Sequence, residues 1–218
     1  MTDPSIVLNT EVIKNEFDRQ ISDGFHSSAT LAVFIDGNPI VDLTRGALHA
    51  KPLFRVFSVG KPFAAAVLWR YKARGHFDWD TPIAEFWPEF GTRGKSSITI
   101  EQVLTHSAGL SDHSNIPPAD YNDWGRIISH IEDMTPQTEP GSAVSYHAHT
   151  FGWIVGEFAS RVSGLSFDEV FEREVTLPLG LKSMAYTLEP VEFGRVVPLE
   201  ISNEWDDKEI ANNMDLIL

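Results

Sequence analysis

Ser58 and Lys61 stand three residues apart in the run Phe57-Ser58-Val59-Gly60-Lys61-Pro62, directly ahead of the apolar stretch Phe63-Ala64-Ala65-Ala66-Val67-Leu68. A hydroxyl and an amine at that spacing share one face of a helical turn. Such a pair can act as a nucleophile with an adjacent base, provided burial leaves the amine able to accept the serine proton. The pattern predicts a helix from Ser58 to about Arg74, ended by Gly75. Pro62 suits that start, because the first helical turn has no use for the N–H that proline lacks. Ser58 would then sit at the positive end of the helix dipole, where a developing anion is stabilised. The same short string also arises by chance at helix starts, so by itself it does not separate a nucleophile from a coincidence.

Other chemistries find less support. The 218-residue chain has no cysteine, which excludes a disulfide framework, thiolate metal sites and a cysteine nucleophile. No G-x-S-x-G elbow and no H-E-x-x-H occurs. The run Gly91-Thr92-Arg93-Gly94-Lys95-Ser96 imitates a phosphate-binding loop, but the motif's first glycine would fall on Glu89, and the run reads as an ordinary loop. His147 and His149 form an H-x-H that opens a helix, and a structural role fits them better than metal binding. His106 reads as a loop-fixing residue. Trp79, Trp87, Trp124 and Trp153 read as core or cleft wall.

The elements that must position Ser58 follow from composition and pattern. A hydrophobic content of 42% with 11% aromatics suits a packed globular chain. Seventeen basic against 31 acidic residues give a net charge of −14, which argues against a nucleic-acid binder. The N-terminal twenty residues show no signal-peptide pattern, and no apolar run reaches the roughly 18 residues of a membrane span. The expectation is a cytoplasmic protein with neither a nucleic-acid nor a membrane partner. Residues from about Ser5 to Phe25 read as a helix. Thr30 to Ile35 and Pro39 to Leu43, joined by Asp36-Gly37, read as a β-hairpin. Further helices are predicted from Thr99 to Thr105, Trp124 to Asp133, Thr150 to Val162 and Ser166 to Val175. Thr99 and Ser166 are their capping candidates where these begin. The chain reads as one domain: 1–57 a helix and hairpin, 58–180 mainly helical, and 181–218 an acidic tail.

Beyond Ser58 and Lys61, an ordered series of segments carries a resemblance. It comprises Ile98-Thr99-Ile100-Glu101-Gln102-Val103-Leu104-Thr105-His106-Ser107-Ala108-Gly109-Leu110, then Glu139-Pro140-Gly141, Ser145-Tyr146-His147-Ala148, Phe151-Gly152-Trp153 and Pro178-Leu179-Gly180-Leu181. From about Thr30 to Met184 the chain resembles the serine β-lactamase-like family, which includes class C β-lactamases, penicillin-binding DD-peptidases and related carboxylesterases. The resemblance implies an α+β fold of the β-lactamase/transpeptidase type, a helical domain against an antiparallel sheet that is incomplete here. It also implies that Ser58 is acylated, that Lys61 is the lysine of the same motif, and that Tyr146 shares proton transfer with it. The backbone N–H of Ser58 would be one oxyanion donor. No metal or organic cofactor is implied, and the expected substrate is a small ester or amide.

Two departures from the family pattern bear on substrate. Ala148 replaces the asparagine of the Y-x-N element, which shifts the expectation from β-lactam turnover toward ester hydrolysis. The family's third motif, Lys-Thr-Gly or a variant on a strand lining the site, has no counterpart after Gly180. Only 72 residues follow Tyr146. Since an isolated hairpin is marginally stable, the predicted hairpin needs strand partners. Three arrangements stay open: this chain is part of a larger protein, a second chain or oligomer mate completes the sheet, or the chain is a shortened form. The expected activity is that of a carboxylesterase, with β-lactamase or DD-peptidase activity, or a non-catalytic binding module, as alternatives.

Overall fold

A computed structural model describes residues 9–199. The chain divides into two compact units, one comprising residues 9–54 with Val191–Val197 and the other residues 55–190. With several helices and one two-stranded antiparallel sheet, the fold is α+β. No helix among the described residues is long and apolar enough to cross a membrane.

The smaller unit opens with α1 (Thr10–Ser22), where the Asn9 side chain caps the first turn by accepting from the Glu11 N–H. The start predicted at Ser5 falls outside the described residues; within them the helix is shorter than expected at both ends. It buries Phe17, and Arg45 Nε donates to Asp18 Oδ1 at 2.6 Å, tying α1 to the hairpin. The hairpin is β1 (Ala29–Ile35) and β2 (Asn38–Arg45), with Ile35 opposite Asn38. Asp36 and Gly37 both take positive φ (49° and 77°), the two-residue turn whose twist matches that of the strands. An irregularity between Val33 and Phe34 coincides with Pro39, which has no N–H for the ladder. Leu53 exchanges backbone hydrogen bonds with Arg195 and Val197, bringing the segment after the 3-10 turn Pro190–Arg195 into this unit. From residue 200 onward, the predicted acidic tail lies outside the described residues.

The larger unit is helical. Its elements are α2 (Lys61–Ala73), α3 (Ile100–Leu104), α4 (Trp124–Asp133), α5 (Thr150–Ser163), α6 (Phe167–Phe171) and α7 (Leu177–Leu179). Its core is one contiguous cluster. Val67, Leu68 and Tyr71 of α2 join Ile127 and Ile131 of α4 and Ile154, Val155 and Phe158 of α5, with Trp87, Phe90 and Ile98 from the loops between. Each such burial is worth about 1.5–3 kcal/mol. Helices α4 and α5 meet at Gly156, where a Cβ would fall 2.8 Å from the Trp124 ring. The Trp124 Nε1–H donates to Glu157 there at 2.7 Å. This places Trp124 in a helix–helix contact. The predicted cap of α3 is present as a reciprocal box between Thr99 and Gln102, and α6 starts with the same device between Ser166 and Glu169.

Two expectations need correction. The helix predicted from Ser166 to Val175 gives way at Glu172 to a π-helical turn, Glu172–Thr176. The wider turn leaves Val170, Phe171 and Val175 buried and also turns Glu174 inward, 3% exposed, where it receives Arg74 through both guanidinium nitrogens and Arg70 at 2.8 Å. Their hydrogen bonds, Arg74's first, hold this carboxyl down at about 2. The second correction is that α2 begins at Lys61, not at Ser58, which instead lies in the preceding 3-10 turn Phe57–Gly60.

The run 91–96 is a loop, as its sequence suggested, and the structure shows what its lysine does. Arg93 and Gly94 take positive φ, turning Lys95 into the interior. Its Nζ donates to the carbonyls of Glu132 (2.8 Å) and Met134 (2.5 Å), which end α4. Burial, reinforced by the nearby Arg93 charge, lowers Lys95 from its usual 10.5 to about 8. The folded state then binds fewer protons than the unfolded chain between those values, so stability must rise with pH in that window. Relative to a Lys95→Met variant, the wild type is expected to gain unfolding free energy as pH climbs from 8 toward 10.5. Chemical denaturation across that range checks this, and a difference between the two proteins that stays flat with pH would contradict it.

Candidate active site

The turn that carries Ser58 has an unusual entry. Phe57 adopts φ +45°, in the left-handed region where a β-carbon costs about 1–2 kcal/mol. After it the backbone winds as a 3-10 turn, with the Val59 N–H on the Val56 carbonyl and the Lys61 N–H on the Ser58 carbonyl. Three residues per turn place positions i and i+3 in line. Lys61 therefore meets Ser58 directly, its Nζ donating to Ser58 Oγ at 3.0 Å. The serine–lysine pairing is thus made by the 3-10 turn, not by the α-helix that the spacing predicted. Tyr186 pins this turn from the side: its hydroxyl donates to the Gly60 carbonyl at 2.6 Å, and its ring rests on Phe167 and Phe171. No local sequence signal marked Tyr186, whose role depends on a contact 126 residues away.

Tyr146 comes from the loop between α4 and α5. Its hydroxyl donates to Ser58 Oγ at 2.7 Å across 88 residues of sequence. Lys61 Nζ also donates to the Ala148 carbonyl at 2.7 Å. Where the resemblance had an asparagine side chain, the main chain of Ala148 thus anchors the lysine. The structure brings Ser58, Lys61 and Tyr146 together, all within the larger unit. Hydrogen bonding to Ser58, and next to Lys61, lowers the Tyr146 phenol below its usual range, against a small opposing effect of burial. Tyr146 is nevertheless 53% exposed, so the three groups face an open surface.

The histidines surrounding the site have separate partners. His147 is buried, accepts from the Leu110 N–H at Nε2 (3.1 Å) and holds its Nδ1 proton against the Ser145 carbonyl (2.6 Å), which defines a neutral tautomer. Burial is the main reason its ionisation is pushed down. Thr150 Oγ1 donates to the Leu110 carbonyl at 2.6 Å, so the segment before Leu110 and the start of α5 hold each other. His149 stacks on His113 with ring centroids 4.3 Å apart, and on Tyr121 and Trp153 beyond. Burial lowers it, with His113 and Lys61 adding to the effect. The two rings of the H-x-H thus serve different neighbours. Among the described residues no group of three His, Asp or Glu is arranged to hold a metal ion.

Chemically, the arrangement offers a hydroxyl between two groups that can take and return its proton. The Beta-lactamase family model matches residues 15–215. The esterase/beta-lactamase LipL of Mycobacterium tuberculosis is 34% identical over 164 residues, covering 68% of this chain and 36% of LipL. The crystal structure of a family VIII carboxylesterase superposes with a TM-score of 0.80 at 30% identity, over 86% of this chain and 54% of that one. A penicillin-binding protein homologue from Caulobacter crescentus gives 0.82 at 28% identity, over 97% and 61%. The fold is that of the β-lactamases and transpeptidases, and this chain spans between about a third and three fifths of the length of these relatives.

The left-handed residue ahead of Ser58 gives a direct test. Asparagine tolerates positive φ, whereas a β-branched side chain there is a genuine outlier. Phe57→Val is expected to melt a few degrees below Phe57→Asn, on the order of 2–4 °C per kcal/mol for a chain of this size. Equal melting temperatures in a thermal unfolding scan would mean that the turn does not keep this conformation in solution.

Proposed function

The chain belongs to the beta-lactamase family, and from that premise we propose that it is a serine hydrolase working through an acyl-enzyme, with small carboxylic esters as substrates. The observation that carries this reading is the position of Ser58 Oγ, 3.0 Å from Lys61 Nζ and 2.7 Å from Tyr146 Oη. Ser58 Oγ attacks the ester carbonyl carbon as its proton passes to the Lys61–Tyr146 pair. The tetrahedral oxyanion is received by the Ser58 backbone N–H. The C–O bond to the alcohol then breaks, and Tyr146 returns the proton to the leaving oxygen. A water molecule attacks the acyl-serine, giving up its proton to the same pair, and the acid departs while Ser58 regains its hydrogen. The lowering of the Tyr146 phenol favours its ionised form, which helps it accept a proton in each half of this cycle.

Ester substrates are favoured over β-lactams for two reasons. Ala148 has no side-chain amide to hold a substrate amide, and its main-chain carbonyl is already engaged by Lys61. Relatives named as esterases or carboxylesterases stand among the similar proteins. We further propose that the two-stranded sheet of the described residues is extended by further strands, from more of the same protein, another polypeptide or an oligomer mate, since two strands alone are marginal.

The test is hydrolysis of a short-chain aryl ester together with covalent labelling by an acylating serine probe. Wild type is expected to turn over and label. Ser58→Ala should do neither, while Lys61→Ala and Tyr146→Phe should label about 10²–10⁴-fold more slowly, the usual cost of losing a general acid–base group. Labelling of Ser58→Ala at the wild-type rate would move the nucleophile elsewhere. No labelling of any form would leave a binding module that keeps the fold.

A further inference from the structure

His106 touches three consecutive residues of the Tyr146 loop in three different ways. Its carbonyl accepts from the Ser145 N–H at 2.9 Å. Its ring lies on the Tyr146 ring, centroids 4.8 Å apart. Its Nδ1 accepts from the His147 N–H at 3.1 Å. Reaching all three requires an uncommon backbone, since His106 is one of four non-glycine residues among those described with positive φ, here +60°. On its far side the ring meets Phe151 of α5 at 5.3 Å. The imidazole is thereby wedged between the first turn of α5 and the phenol.

We propose that His106 is the positioning residue for Tyr146, and that it does this work only as a neutral imidazole. This inference rests on the hydrolase reading for its kinetic consequence, but not for its structural content. An Nδ1 that accepts from a backbone N–H leaves Nε2 as the protonated nitrogen. A second proton would turn that acceptor into a donor facing another donor, break the hydrogen bond to His147, and set a cation beside the phenol. The titratable groups that face His106 are Tyr146 and His147 from the loop before α5 and Lys61 from α2. Among the described residues no carboxylate contributes to its ionisation, and burial together with the Lys61 charge keeps it neutral below the usual histidine range. Protonation in acid would therefore release the Tyr146 loop and remove activity beyond what protonation of the base itself removes.

The experiment uses the 218-residue chain labelled with 13Cζ-tyrosine and 15N-histidine, in wild type, His106→Asn and His106→Gly. Both replacements tolerate the left-handed backbone, so folding is retained, and circular dichroism verifies it. Asparagine keeps an acceptor for the His147 N–H but cannot ionise; glycine keeps neither acceptor nor ring. In wild type the His106 resonances should report protonated Nε2 and bare Nδ1, and the Tyr146 signal, identified with Tyr146→Phe, should move as His106 titrates. In His106→Asn that acid-side movement should vanish, and the acid limb of kcat/KM for an aryl ester should become less steep at low pH. In His106→Gly kcat should fall about 10–100-fold with little change in KM, the scale of a small displacement of a catalytic group. A Tyr146 signal indifferent to His106 titration, or an unchanged acid limb in His106→Asn, would overturn the inference. A chain that hydrolyses no ester yet shows the coupled NMR titration would overturn the hydrolase reading and leave this one standing.

Discussion

The serine oxygen at the centre of this structure accepts two hydrogen bonds, from a phenol at 2.7 Å and an amine at 3.0 Å. Such bonds weaken steeply with distance and angle, so both donors must be held to within a few tenths of an ångström. The lysine comes from the next turn of the same segment, but the tyrosine lies 88 residues away, on a loop. A loop cannot hold that tolerance alone, and much of the larger unit serves to supply it. Lys61 contributes twice, since its second donor bond goes to the Ala148 carbonyl two residues past Tyr146. One lysine side chain thus links the turn of Ser58 to the loop of Tyr146.

Behind that contact stands a rigid helical frame. Helices α2 and α5 pack side by side, and α5 buries Phe151, Ile154, Val155, Phe158 and Ala159 in consecutive turns. A frame of this density transmits position, because a packed interior has little free volume in which to yield. Polar groups close its ends. Lys95 satisfies the carbonyls that finish α4, and Glu174 receives Arg70 of α2 and Arg74 just past its end. Glu174 is buried while Arg70 and Arg74 are nearly half exposed, so removing the arginines would strand a buried carboxylate, whereas removing Glu174 would leave them to solvent. The π-helical turn at Glu172–Thr176 follows from the same need: it brings Glu174 inward without moving the apolar side chains of its segment out of the core.

Around the site, histidines hold the loops through hydrogen bonds and ring contacts. His147 joins Leu110 to Ser145 in one fixed tautomer, and His106 wraps the same loop from the other side. Both are pushed toward the neutral form by burial. The replacement of asparagine by Ala148 matters less to the lysine than its chemistry suggests, since the main chain meets the ammonium there. What alanine lacks is a side-chain amide, while the contacts among Ser58, Lys61 and Tyr146 are made without one.

Much of this was legible from residue types and spacing. Asp36-Gly37 declared a two-residue hairpin turn because few pairs tolerate positive φ at both positions, and Thr99 and Ser166 declared helix starts because their side chains replace missing backbone partners within four residues. Ser58, Lys61 and Tyr146 were identifiable for a different reason: Lys61 by its short-range spacing to the serine, Tyr146 through a family resemblance. Local interactions of this sort are encoded where they act. The tertiary structure alone decided the left-handed Phe57, the 3-10 turn in place of an α-helix start, the π-turn that admits Glu174, the inward course of Lys95, and the roles of Tyr186 and His106. Apart from Phe57, each meets partners 37 to 126 residues distant, and no local pattern records them. Backbone conformations that cost energy locally persist only when such distant contacts outweigh the cost. The Ser58–Lys61 pair could thus be read from the chain as a candidate site, but the geometry that brings Tyr146 to it had to come from the packed structure.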